Sequence, residues 1–175
     1  MAAPTGTARF AAGKALCATA AKDPKRVCSH FDAVAALLES DSKIVCWNAM
    51  RLLAMMAAAD SGHRLDAVLD RYLAFIDGDN LISAANAIQG TAHIGRARPD
   101  LLDRIVPAVL GVERARYATP ECRNVAIGEA LNAFAQLGDD VCRRPDVARF
   151  IRRQRTNPRS AVARRAERMT AMLAE

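Results

Sequence analysis

The sequence predicts an all-α protein built as a right-handed α-α superhelix, an α-solenoid of about four helical hairpins behind a leading helix. Three observations carry this. The apolar content of 51% is mostly Ala, Leu, Val, Ile and Met, with only eight aromatics in 175 residues, and Ala and Leu favour helices. No run of alternating β-branched residues bounded by turns signals a strand. Helix-start signals recur near residues 42, 80, 120 and 158, at intervals of about 38, 40 and 38 residues, and a hairpin period near 40 is the mark of stacked helical repeats.

Taken in order, residues 1–7 read as a flexible tail and 8–21 as a first helix, with Phe10, Leu16 and Cys17 inward and Asp23-Pro24 ending it. The single repeat domain, 8–175, then holds hairpins at about 29–59, 63–96, 99–138 and 145–174. In the first, Ser29 with Asp32 three residues on is a variant capping box, and Phe31, Val34, Ala35, Leu37 and Leu38 form the apolar stripe. Asp41 or Ser42 caps the next helix, DSKIVCWNAMRLLAMMAAAD, the clearest copy of the unit.

In the second hairpin Leu65, Val68, Leu69, Tyr72, Leu73 and Ile76 point inward, and Asp77-Gly78-Asp79 makes the turn. In the third, Pro99 suits a first helical turn, Pro107 should kink its helix, and Thr119-Pro120 opens a helix that stops at Gly138. Pro145 and Asn157-Pro158 open the last two helices, with Val147, Phe150, Ile151, Val162, Ala166, Met169 and Leu173 inward.

Asn48, Asn86 and Asn124 fall 38 residues apart, each in the second helix of its pair. A half-buried amide must find partners, so the row reads as structural, tying neighbouring hairpins or their turns. A polar stripe lining a groove is the other reading.

The second helices DSKIVCWNAMRLLAMMA, DNLISAANAIQGTAHIG, TPECRNVAIGEALNAFAQLG and NPRSAVARRAERMTAML resemble those of HEAT-like repeat proteins, over residues 29–174. The Asp-turn followed by a basic residue early in the second helix, usual in such repeats, is complete in no copy. The resemblance implies a scaffold that binds a protein partner; some similar folds bind or repair DNA, and some handle tetrapyrrole pigments as lyases.

Charge is the most unusual local feature. Residues 143–168 hold ten arginines against Asp146 and Glu167, a net +8 in a chain of +6. Arg suits planar, bidentate contacts to phosphate or carboxylate, so Arg149, Arg152, Arg153, Arg155, Arg159, Arg164 and Arg165 are the candidate binding residues for an anion or acidic partner. Three uses fit: the polar outer face of a terminal repeat, docking to an acidic protein, or sequence-independent contacts to nucleic acid. Few aromatics accompany the arginines, which disfavours single-strand stacking.

Little points to catalysis. His30, His63 and His93 are isolated, with His93 read as a core or edge residue, and no HExxH, GxSxG, P-loop or GxGxxG occurs. Cys28, Ser29 and His30 are neighbours at a helix start and do not converge on one reacting atom. Asp77, Asp79, Asp139 and Asp140 read as caps and turn formers. No catalytic residue, metal or cofactor is expected. Five scattered cysteines without a CxxC pair imply free thiols in a reducing cytoplasm. Arg9 and Lys14 break any signal-peptide core, and no stretch reaches a membrane span. Trp47, the single tryptophan, covers a hairpin edge or anchors a partner.

Overall fold

The computed structural model describes residues 6–173, with the side chains of residues 6 and 8–10 outside that description. Among these residues every regular element is helical, and no helix is long and apolar enough to cross a membrane. The chain divides into two compact units, Met1–Tyr72 and Leu73–Glu175.

The first unit contains α1 (Gly6–Lys22), α2 (Lys25–Cys28), α3 (Phe31–Ala36), α4 (Lys43–Met56) and most of α5 (Leu65–Leu73). The expected tail lies outside the described residues up to residue 5, and residues 6 and 7 already belong to α1. Helix α1 lies along α4, and its approach requires Gly13, where an added Cβ would sit 2.0 Å from Asn48 Nδ2. The inward assignment of Phe10 lies outside the described side chains. Leu16 is 47% exposed rather than inward, and Ala20 is buried instead.

Two further expectations fail here. Ser29 does not cap: the residues after Pro24 form α2 at once, Ser29 closes that turn, and His30 precedes α3 without a side-chain cap. Burial of Val27 and Cys28 outweighs the local capping preference. Leu37 is 41% exposed because α3 tightens into a 3-10 turn over Leu37–Glu39. Three residues per turn instead of 3.6 rotate Leu38 into the core and Leu37 out of it.

A guanidinium fastens this unit. Arg64 stands 4.7 Å over the Phe31 ring, donates to the Cys28 carbonyl at 2.8 Å, and bonds Asp60 Oδ1 at 3.2 Å. The other oxygen of buried Asp60 accepts from Leu65 N–H at 2.8 Å, capping α5. Arg71 pairs with Glu39 and donates to the Ala35 carbonyl at 3.3 Å.

The second unit contains α6 (Leu81–Ala97), α7 (Leu102–Leu110), α8 (Pro120–Leu137), α9 (Asp139–Cys142), α10 (Pro145–Arg153) and α11 (Ser160–Met172). Helix α6 packs on α8 and α8 on α11; the turn Ala74–Asp77 packs on α7, and α7 on α10. Two start signals act as read, Asn80 Oδ1 accepting from Ser83 N–H at 2.9 Å and Thr119 Oγ1 from Cys122 N–H at 3.1 Å, whereas Ser42 stands at the head of α4 without a side-chain cap bond. Gly138, at φ 100°, ends α8 in a conformation that L side chains rarely adopt. Asp139 and Asp140, read as a turn, open the short helix α9. Pro107 lies inside α7, whose helix continues past it to Leu110. Val147, Phe150, Ile151, Val162, Ala166 and Met169 are buried, Leu173 only partly. Phe134 and Phe150 meet edge to face at 5.7 Å.

Polar ties in this unit span nearly constant sequence distances. Tyr117 Oη donates to the Ile76 carbonyl at 2.5 Å, 41 residues away. Arg144 reaches Asp103 at 2.8 Å, also 41 away, and Gln89 reaches Glu129 at 3.2 Å, 40 away. Arg153 takes both oxygens of Glu113, 40 away, at 3.1 and 2.6 Å.

Candidate anion-binding groove

Helices α8 and α11 enclose an open groove of about 350 Å³. From α8 it is lined by Val125, Gly128, Glu129 and Asn132, a stripe at spacing i, i+3, i+4, i+7. From α11 it is lined by Ala161, Val162, Arg164, Arg165 and Arg168, with Arg159 at the head of the helix. Val162, Ala166 and Met169 seat α11 on the core, and Arg164, Arg165 and Arg168 line the groove from its more exposed side. Gly128 leaves room on the facing helix: a Cβ there would come within 3.3 Å of Val162 Cγ2.

Charge in the groove is unbalanced, with four guanidiniums against the one carboxylate of Glu129. Arg159 is paired with Glu121. Arg164, Arg165 and Arg168 have no carboxylate partner among the described residues. Glu129 is turned to amides instead: its Oε2 accepts from Gln89 Nε2 at 3.2 Å and from Asn132 Nδ2 at 3.3 Å. That contact fixes the amide, because a flipped Asn132 would set its oxygen against the carboxylate. Asn132 Oδ1 is left buried without a hydrogen-bond partner, a costly state for an acceptor.

The seven predicted arginines therefore separate. Arg159, Arg164 and Arg165 line the groove. Arg153 is held by Glu113. Arg149, Arg152 and Arg155 are exposed, with no carboxylate partner among the described residues. Arg168, Glu129 and Asn132 were not among the sequence candidates. The signal for Arg168 was its place one turn beyond Arg164 and Arg165.

Asn48 is half-buried and packs against Gly13. Asn86 Nδ2 donates back to the Ile82 carbonyl at 2.8 Å within its own helix. Asn124 joins a neighbouring hairpin, accepting from Asn157 Nδ2 at 3.2 Å. Arg123 donates to the Ala115 carbonyl at 3.1 Å, in place of an Asp partner.

Other candidates offer no assembled chemistry. All three histidines are exposed, His93 included, against its reading as a core or edge residue. Among the described residues no group of three or more His, Cys, Asp or Glu is placed to hold a metal ion. All five cysteines are free. Burial pushes the thiols of Cys17 and Cys46 up, and that of Cys142 up to about 11, away from the thiolate form needed for nucleophilic attack. Trp47 is half-buried.

The site thus defines a class only: an open, polar groove with excess positive charge on a helical framework. No protein-family model matches the chain, and neither does any curated protein or solved structure.

Proposed function

We propose that this chain is a HEAT-like repeat scaffold or adaptor, a right-handed superhelix of helical hairpins, and that it holds an acidic segment of a protein partner in the α8–α11 groove. Two observations support the repeat reading. Four polar ties of the second unit span 40 or 41 residues, beside Arg159–Glu121 at 38 and Asn157–Asn124 at 33. The first helix of each hairpin ends in a 3-10 turn, at Leu37–Glu39, Ala74–Asp77, Gly111–Glu113 and Gln154–Thr156.

The observation that carries the binding reading is the convergence of Arg164, Arg165 and Arg168 on one groove without carboxylate partners. Apart from its four arginines the groove is lined by one carboxylate, one amide and small apolar residues, with no aromatic ring, which favours a peptide over a stacked nucleic-acid strand.

The exposed trio Arg149, Arg152 and Arg155 supports a second reading, backbone contacts to nucleic acid. Fluorescence anisotropy separates the two. A labelled oligoglutamate peptide should bind the wild-type chain and be released by Arg164→Glu/Arg168→Glu. The reading is overturned if the peptide does not bind, while a DNA duplex binds with steep salt dependence and is lost in Arg149→Glu/Arg152→Glu.

A further inference from the structure

We infer that the α8–α11 groove selects a phosphorylated side chain, a phosphoserine or phosphothreonine within an extended protein segment, over an unmodified acidic one. This rests on the acidic-segment reading above and names its ligand chemistry. Three guanidiniums of α11 lack a carboxylate partner among the described residues. Arg164, Arg165 and Arg168 line one groove of about 350 Å³, and like charges held together are destabilising until an anion is shared among them. A carboxylate has two oxygens and one charge, so a single bidentate arginine satisfies it. A phosphate monoester offers three terminal oxygens and close to two charges at neutral pH. It can engage two or three guanidiniums at once, which is the number present without a partner.

The second element is Asn132 Oδ1, buried and without a partner beside these arginines. Its orientation is fixed by the bond from its own Nδ2 to Glu129, so it waits for a donor. A phosphate monoester dianion has none to offer. A peptide does, in its backbone N–H groups. Anion and donor together describe a phosphorylated residue carried on a chain. The groove is open to solvent, so a segment can enter it with its phosphate toward α11 and an N–H toward Asn132.

The test uses three pools of nine-residue peptides, randomised around a fixed central phosphoserine, glutamate or serine, passed over the immobilised full chain. The phosphoserine pool should be retained about tenfold more strongly than the glutamate pool, and the serine pool not at all. That preference should shrink as pH falls from about 7.5 to about 5.5, because the second phosphate charge is lost near pH 6 while arginine stays charged. Asn132→Leu should weaken the phosphoserine pool and leave binding of inorganic phosphate unchanged. Equal retention of phosphoserine and glutamate pools would overturn the phosphate preference and leave the acidic-segment reading standing. No retention of either pool would overturn both, as would a single-stranded RNA bound in their place. Far-ultraviolet melting of each variant excludes misfolding as the cause of a loss.

Discussion

Helices α10 and α11 are consecutive, both arginine-rich, and use arginine in opposite ways. On α10, Arg153 is clamped by both oxygens of Glu113, and that carboxylate also takes the amide of buried Gln154 at 2.7 Å. The remaining α10 arginines, Arg149 and Arg152, stand on an exposed face. On α11, three arginines turn toward a facing helix that supplies space through Gly128 and one amide-bound carboxylate, but no counter-ion. A charge run of a single sign is therefore two things. One part fastens a hairpin to its predecessor, and the other leaves a basic groove open.

The largest effects should come from reversing charge on each helix. Arg164→Glu/Arg168→Glu should weaken an acidic peptide by about a hundredfold or more, since charge-assisted pairs are replaced by repulsion. Arg149→Glu/Arg152→Glu should change it by no more than about threefold, the long-range part alone. Anisotropy titrations at fixed ionic strength read both, and equal losses would erase the distinction between the helices.

Stability should show the reverse bias. Glu113→Ala strands the buried Gln154 amide and frees Arg153, for a cost of about 2 kcal/mol in urea unfolding. Glu121→Ala removes an exposed partner of Arg159 and should cost about 0–1 kcal/mol. If Glu121 proved the costlier loss, the groove arginine would be the structural one.

The two tyrosines extend the contrast between satisfied and orphaned polar groups. Tyr117→Phe leaves the Ile76 carbonyl without its donor and should cost about 1–2 kcal/mol. Tyr72 is fully buried and its hydroxyl has no partner, so Tyr72→Phe should be neutral or stabilising by up to about 1 kcal/mol. Equilibrium unfolding of the two variants side by side checks the pair.

The smallest effect is at high pH. Burial, with Asp139 nearby, pushes the Cys142 thiol up to about 11, and burial, with Asp77 nearby, pushes the Tyr117 phenol up to about 12. Both groups hold their proton more tightly folded than unfolded. Their contribution is full below the unfolded values, about 9 for the thiol and 10 for the phenol, and is lost as pH rises through the folded ones. The melting temperature should fall from about pH 9 upward, and Cys142→Ala should flatten the first part of that fall.

Much of the helix pattern was readable because its signals are local. Thr119-Pro120, Asn80 and Pro145 open helices through bonds and dihedrals set within four residues. What escaped was decided by tertiary burial. Ser29 has the side chain of a cap, yet the chain turns helical four residues earlier around Val27 and Cys28. Leu37 fits a 3.6-residue stripe, and a 3-10 turn breaks the register at that residue.

The arginine run of residues 143–168 was visible in the sequence, but not that Arg168 joins Arg164 and Arg165 at one groove. The facing stripe of α8 was not visible either, because sequence does not state which face of a helix is left uncovered. Glu129 and Asn132 look like ordinary surface residues until α11 buries the amide oxygen beside them.

The central claim is that the arginines of α11 are available to an anion and Arg153 of α10 is not. Arginine side-chain Nε–Hε resonances, followed by NMR while inorganic phosphate is added, test it most directly. The account predicts saturable shifts for Arg164, Arg165 and Arg168, no shift for Arg153, and only a weak linear drift for Arg149 and Arg152. Arginines of both helices moving together, or saturation at Arg149 and Arg152 alone, would contradict it.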